Sequence, residues 1–256
     1  MELVEVSWNC LFGTQLSGMN QIQVRELKSL PDQTAGREIF DIVWPVVGGT
    51  EIMPNLMQAF VYNGAYFVGA FEGKKIVGAT FGFIGTVGGL HLHSHMAAVL
   101  PEFRDRGTGT LMKRHQFGWA YENNVPFITW TFDPLVKRNA KLNIVKLGIE
   151  VASYHPNFYG VMPDLNNAGD DSDRLMAKWI VGRNPPNGKP ITTTIGDHAI
   201  TISIPEDVLK LRKENLVDAK SVRVRVRQQF QAAFREGYKV LGFSEEVGYV
   251  LVKGAI

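Results

Sequence analysis

The sequence predicts an α+β protein with a mixed sheet, followed by a smaller α+β unit. Three features predict it. Two runs rich in β-branched and aromatic residues flank a glycine turn, a glycine- and arginine-bearing loop joins a strand to a helix, and a turn-rich stretch interrupts the pattern late in the chain. With 256 residues, 45% of them hydrophobic and 20% charged, the chain can bury a substantial core.

Residues 1–19 are mixed in character and read as an N-terminal arm. From Asp32 to Val47, Ile39, Phe40, Ile42, Val43 and Val46 recur at helical spacing until Gly48-Gly49 breaks the run. The period then changes to that of strands. Ala65 to Phe71 and Lys75 to Phe83 form a predicted hairpin across Glu72-Gly73-Lys74. A third strand covers Leu90 to Val99 and leads through a proline and a loop into a helix with Leu111, Met112 and Trp119 as apolar positions. Pro126 to Phe132 is the next strand, and a helix from about Lys137 to Leu147 ends at Gly148, a residue suited to a left-handed C-cap.

Strands around Glu150 to Phe158 and Asp173 to Val181 close a domain spanning 20–182. Gly182 to Pro190 reads as a linker. The extension, 183–256, reads as a strand (Ala199 to Ile204), a helical region opened by Pro205-Glu206-Asp207, and strands around Tyr238 to Phe243 and Gly248 to Val252. Within it, Arg223, Arg225 and Arg227 alternate with valines and read as a solvated face without a function.

The formal net charge is +2, so no global field favours a nucleic acid or a membrane, and neither partner is expected. Cys10 is the only cysteine, which excludes an intrachain disulfide and a cysteine-rich metal site. No apolar run approaches the ~20 residues needed to span a bilayer, and the first residues lack a leader pattern. A cytoplasmic location is the expectation. Self-association is left open.

The junction Arg104-Asp-Arg-Gly-Thr-Gly-Thr110 carries the chemistry. Free N–H groups and the dipole at a helix start favour a phosphate. Gly107 and Gly109 let the backbone approach, Arg104 and Arg106 add charge-assisted hydrogen bonds, and Thr110 adds a hydroxyl. An ordinary turn with solvated arginines is the bland alternative. The order of residues fits neither a P-loop nor the dinucleotide fingerprint.

R-x-x-G-x-G following a strand resembles the acyl-CoA motif of the GNAT superfamily, and the resemblance extends over about 20–182, ending with Lys146-Leu147-Gly148 in the family's order. The 183–256 extension is similar to that of a little-characterised branch. The resemblance implies a GNAT-like core and an acyl-CoA-dependent N-acyltransferase, with acetyl-CoA as default donor and a small-molecule amine or amino acid as acceptor. Succinyl transfer to amino acids and a non-catalytic CoA-binding regulatory module are the alternatives. It further implies that the backbone at Ala98, Val99 and Leu100 bonds the pantetheine, that Arg106, Gly107, Thr108, Gly109 and Thr110 cradle the pyrophosphate, that Arg104 opens the motif, and that Asn139, or else Asn143, contacts the cofactor arm. Relatives often carry a tyrosine acid two residues before the lysine of K-x-G. Here that residue is Ile144, and Tyr154 or Tyr159 could substitute.

His91, His93 and His95 fall on one face of a strand by their spacing. A metal site, a cluster without chemistry and base catalysis are the three readings. No neighbouring carboxylate or cysteine completes a ligand set, so no metal is expected. His93, eleven residues before Arg104, occupies a position resembling that of a glutamate base in some relatives, and imidazole can accept the proton that an amine must lose before it attacks a thioester. Trp130, Tyr154 and Tyr159 are the candidates for the acceptor pocket, against ordinary core packing. Arg138 or Arg174 would meet an acceptor's carboxylate.

Overall fold

The computed structural model describes residues 22–46, 49–50, 52–162, 164, 169–186, 188 and 199–253. The predicted N-terminal arm and most of the predicted linker after Pro186 lie outside the described residues.

β1 (Ile22–Glu26) leads through Ser29, whose hydroxyl caps the first turn by accepting from Asp32 N at 3.2 Å, into α1 (Leu30–Val43). α1 begins with Pro31 in its first turn, where no intrahelical N–H is lost. Gly36 seats it closely on the sheet: a Cβ there would come 2.4 Å from Leu27 Cδ1 and 2.6 Å from Phe67 Cζ. α2 (Pro54–Tyr62) follows, then the predicted hairpin β2 (Tyr66–Glu72) and β3 (Lys75–Gly85), and β4 (His91–Val99). α3 (Thr108–Glu122), β5 (Phe127–Phe132) and α4 (Lys137–Ala140, continuing as a wide π-helical turn through Lys146) come next, followed by β6 (Glu150–His155) and β7 (Arg174–Ile180). Sequence reading missed β1 and α2. Both are short and carry too few periods to stand out.

These strands form one mixed seven-stranded sheet in the order β1-β2-β3-β4-β5-β7-β6, antiparallel except where β4 meets β5. Successive residues of a strand point to opposite faces. Thr80 of β3 donates to Met112 Sδ of α3, whereas Phe81 packs edge-on against Phe60 of α2. The α1–α2 pair and α3 therefore cover opposite faces.

The extension adds β8 (Ala199–Ile202), α5 (Val208–Glu214), α6 (Leu216–Arg235), β9 (Tyr238–Ser244) and β10 (Gly248–Lys253), with a second, antiparallel sheet in the order β8-β10-β9. Val226, Phe230 and Ala233 share one face of α6 and join the core of the large sheet. Phe230 stacks on Tyr154 of β6 at 5.4 Å and meets Tyr249 at 5.0 Å, while Tyr249 donates from its hydroxyl to Pro134 O at 2.7 Å. Arg223 corrects the reading of its run as a solvated face. The residues are helical, Arg223 is 1% exposed, and Arg227 donates to both Asp171 and Asp173. A period of 3.6 lets buried partners reach the same helix face as the valines.

Candidate active site

Parallel pairing between β4 and β5 is confined to Leu92↔Ile128 and His93↔Thr129. Beyond these residues the strands diverge, and the sheet opens into a fork whose first free residues are Ser94 and Trp130. β4 also bulges: Phe81 pairs with Met96 and Gly82 with Ser94, so His95 is the extra residue. Such a bulge leaves backbone groups unpaired and aims a side chain out of the ladder.

Two cavities of about 600 Å³ each flank the fork. One runs from Ser94 along Ala97, Ala98 and Val99 to the start of α3. The other lies toward α1 and is lined by Tyr159, Met162 and Arg174. His95, Thr131, Arg104, Arg138 and Asn139 line both, so the cavities meet through the open sheet.

At the outer end of the first cavity, a tight turn at Pro101–Phe103 brings the chain round to α3. Asp105 and Gly107 have φ of 61° and 83°, and α3 starts at Thr108. These two left-handed residues bend the chain into the helix start, where the amides of the first turn are donors with no intrahelical partner. Nothing lies within 4 Å of a Cβ built on Gly107, which leaves space for an anion, and no acidic residue stands in the first turn of α3. Arg104, Asp105, Gly107, Gly109 and Thr110 line this end. Arg106 instead lies over the Phe103 ring at 5.1 Å, and Thr108 is buried with its hydroxyl donating to Phe103 O at 3.4 Å, so both offer backbone rather than side chain. Leu100 is not brought to the cleft: its N–H is bonded to Val77 O and its carbonyl accepts from Phe103 N.

Asn139 and Asn143 both reach the first cavity. The π turn, in which Leu147 N reaches back to Leu142 O at 3.0 Å, turns Asn143 inward, where its Oδ1 accepts from Trp130 Nε1 at 3.1 Å. Ile144, at the position where relatives of the predicted kind carry an acid, is buried in the core and faces away from both cavities. Trp130 lies in the first cavity rather than in the predicted acceptor pocket.

The three histidines differ. His91 is held by Gly89 O at 2.8 Å and stacks on Phe127 at 5.0 Å. His93 Nδ1 is 3.0 Å from Thr129 Oγ1, and burial, helped by the neighbouring cationic and imidazole groups, lowers its pKa to about 4. His95, 6.0 Å from His93 between ring centres, is the one that opens on both cavities; it keeps an exposed edge, and partial desolvation by the rings packed around it lowers its pKa too. Among the described residues no group of potential ligands gathers to hold a metal.

Tyr159 lies in the second cavity, its hydroxyl 2.9 Å from Thr131 Oγ1 and its ring 6.4 Å from that of His95. Tyr154 is elsewhere: it donates to Asp173 at 2.5 Å beneath α6. Arg174, 7% exposed, reaches only Asp173 O at 2.9 Å and Met162 Sδ at 3.7 Å, with its guanidinium 5.4 Å from the Tyr159 ring. No carboxylate contacts it among the described residues; burial lowers its pKa, and the nearby Asp133 charge offsets part of that cost.

Sequence reading missed Lys113. It lies on the buried stripe of α3 with Met112, Gln116 and Phe117, and is 5% exposed. Its Nζ donates to Ser94 Oγ at 2.7 Å and Gln116 Oε1 at 3.2 Å, and lies 3.8 Å from the centre of the Trp130 ring. Burial lowers its pKa to about 7. Apolar neighbours at 112 and 117 marked the stripe, but a lysine there defaults to a surface assignment.

No family model matches the sequence, and no curated protein matches it. Solved structures do. An acetyltransferase of GNAT family from Streptococcus pneumoniae superimposes with a TM-score of 0.51 at 14% identity, over 63% of this chain and 100% of its own. The chain has the GNAT fold. Arabidopsis thaliana Naa50, in complex with the bisubstrate analogue CoA-Ac-MVNAL, matches with a TM-score of 0.50 at 14% identity, over 61% of this chain and 97% of its own. The GNAT-like part leaves an extra segment of this chain unmatched, and the three-stranded sheet β8-β10-β9 is additional to the GNAT sheet. No helix among the described residues is long and apolar enough to cross a membrane.

Proposed function

We propose that this chain is an acyl-CoA-dependent N-acyltransferase, with acetyl-CoA as default donor, that acylates the amine of a small carboxylate-bearing acceptor such as an amino acid. What supports it is the meeting of the two cavities at the fork. The anion-ready turn before α3 lies at the far end of one, and the buried guanidinium of Arg174, with no ion-pair partner in contact among the described residues, lies in the other. The diphosphate of the donor takes the amides from Arg106 to Thr110 and the charge of Arg104. Its arm follows Ala98 and Val99 past Asn139 and Asn143, delivering the thioester to Ser94 and His95. The acceptor enters from the α1 side, its carboxylate on Arg174 and its body against Tyr159.

The amine nitrogen, once its ammonium proton is gone, donates its lone pair to the thioester carbon, and the carbonyl π pair moves to oxygen. Collapse of this adduct expels the thiolate, and loss of a second N–H proton to solvent leaves an amide. His95, backed by His93, is neutral at pH 7 and takes the proton from the amine, which solvent then receives. Holding both reactants at one opening supplies the approach that a bimolecular reaction in water lacks.

The test is thiol release with acetyl-CoA and succinyl-CoA against amines that carry or lack a carboxylate. Release with amino acids but not with their amides supports the reading. CoA binding without release from any pair favours the regulatory module, which the core placement of Ile144 keeps as the second reading.

A further inference from the structure

Lys113 is a buried amine that the acceptor chemistry above leaves unused. His93↔Thr129 is the last pair joining β4 to β5. The next residue on each strand, Ser94 and Trp130, holds Lys113 from the α3 side, by a hydroxyl at 2.7 Å on one strand and an indole face at 3.8 Å on the other. The amine thus stands at the apex of the fork, on the wall of the donor cavity. Among the described residues no carboxylate pairs with it. Across β4 it faces His93 and His95, β5 turns Trp130 to it, α3 supplies Gln116, and Asn143 and Lys146 of the π turn line the same cavity. Gln116 Nε2 beside it has no partner among the described residues.

We infer that Lys113 is the acid that protonates the departing sulfur, standing on the opposite face of the sheet from the histidines that receive the amine's proton. The inference rests on the acyltransferase reading. As the adduct collapses, the oxygen pair re-forms the carbonyl, the C–S bond breaks with its electrons on sulfur, and the Lys113 ammonium passes one proton to that sulfur. CoA leaves as the thiol, and the neutral amine regains a proton from solvent. With its pKa lowered to about 7, the ammonium is a stronger acid than a free alkyl thiol at about 8.5 and gives up its proton far more readily than an ordinary lysine. Ile144 leaves the usual acid position without a proton to give, and Lys113 approaches the same atom from the neighbouring helix.

The test is the titration of the CoA thiol when bound, read by thiolate ultraviolet absorbance, in the wild type, Lys113→Met and Lys113→Arg. In the wild type the bound thiol should titrate at least one pH unit lower than in free CoA, a tenfold rise in the thiolate-to-thiol ratio. Lys113→Met should abolish the shift and cut kcat by about 100-fold with CoA affinity unchanged. Lys113→Arg keeps the charge but has no proton to release at neutral pH, so it should restore the shift without restoring kcat. A second measurement needs no variant: the Lys113 Cε resonance should titrate higher with CoA than with desulfo-CoA, in which hydrogen replaces the thiol. Equal thiol titration in wild type and Lys113→Met, or equal Lys113 titration with the two ligands, overturns the acid role while leaving the acyltransferase reading in place. Failure of CoA to bind the wild type overturns both.

Discussion

Arg223 of α6 donates from Nε to Asp170 Oδ2 at 2.9 Å, and both side chains are 1% exposed. Arg212 of α5 reaches the same oxygen at 2.8 Å, and both arginines also bond Asp133, just past the end of β5. Two buried guanidinium groups from α5 and α6 thus meet two buried carboxylates, one just after β5 and one just before β7. Asp133 immediately follows the fork strand, so these bonds tie α5 and α6 to its end.

Breaking one partner leaves the other charges buried and uncompensated. Arg223→Met should therefore destabilise the protein by about 3–5 kcal/mol, read as a lower denaturation midpoint in urea. Arg225→Met, an exposed neighbour on the same helix, should change the midpoint little.

The same cluster sets the acid limit. Arg223 and Arg212 hold the Asp133 carboxyl well below the usual carboxylate range, and Arg227 and the Tyr154 hydroxyl hold Asp173 below it. Because the folded carboxylates bind protons less readily than the unfolded ones, their stabilisation is complete above the unfolded value of about 3.9 and is lost as pH falls below it. Melting temperature followed from pH 7 to pH 2 should drop steeply below about pH 4. The drop should be shallower in Asp173→Asn, which starts from lower stability.

Gly107 has φ of 83° with open space beside it. Gly107→Ala should therefore cost only the left-handed strain, about 1 kcal/mol of stability, while crowding the anion position. CoA affinity measured by calorimetry should fall about tenfold, as it should for Arg104→Ala. Arg106→Ala should have a smaller effect, since that guanidinium lies on Phe103.

Most strands were legible because their residues are β-branched or aromatic and bounded by glycine. The glycines at 107 and 109 made the strand-to-helix turn legible too. The fork was not: no residue pattern announces that pairing stops after His93, because this depends on what β5 and β7 pack against. Nor did alternation reveal the bulge that sends His95 rather than His93 into both cavities. Lys113 and Arg223 were hidden for a common reason. A charged residue is assigned to solvent unless its partner is known, and Ser94 and Asp170 lie 19 and 53 residues away.

The histidines should separate in a kinetic comparison. His95→Ala should lower kcat by about 100-fold with acyl-CoA affinity unchanged, and His93→Ala should lower it less, because His93 contacts Thr129 behind the opening. With desolvation lowering both pKa values, the acid limb of kcat in the wild-type pH profile should lie below pH 6.5. An inflection at about pH 6.5, removed by His95→Ala, would show an ordinary solvated imidazole instead.

Lys113 should leave a mark on stability that needs no substrate. In the folded protein its pKa is about 7, and in the unfolded chain it returns to the ordinary lysine value near 10.5. Between these values the unfolded state holds more protons, so raising the pH favours the folded state, by up to about 1.4 kcal/mol per unit of difference. Wild-type stability in urea should therefore rise relative to Lys113→Met between pH 7 and pH 10, and the two curves should run parallel below pH 6. The apolar side chain removes the cost of burying an amine while filling the same space against Trp130, so Lys113→Met should be at least as stable as the wild type at neutral pH. A variant that is more stable yet slower is the signature of a group kept for chemistry at the expense of the fold. Parallel curves across the whole range would mean that Lys113 is ordinarily solvated, with Ser94 a passing contact.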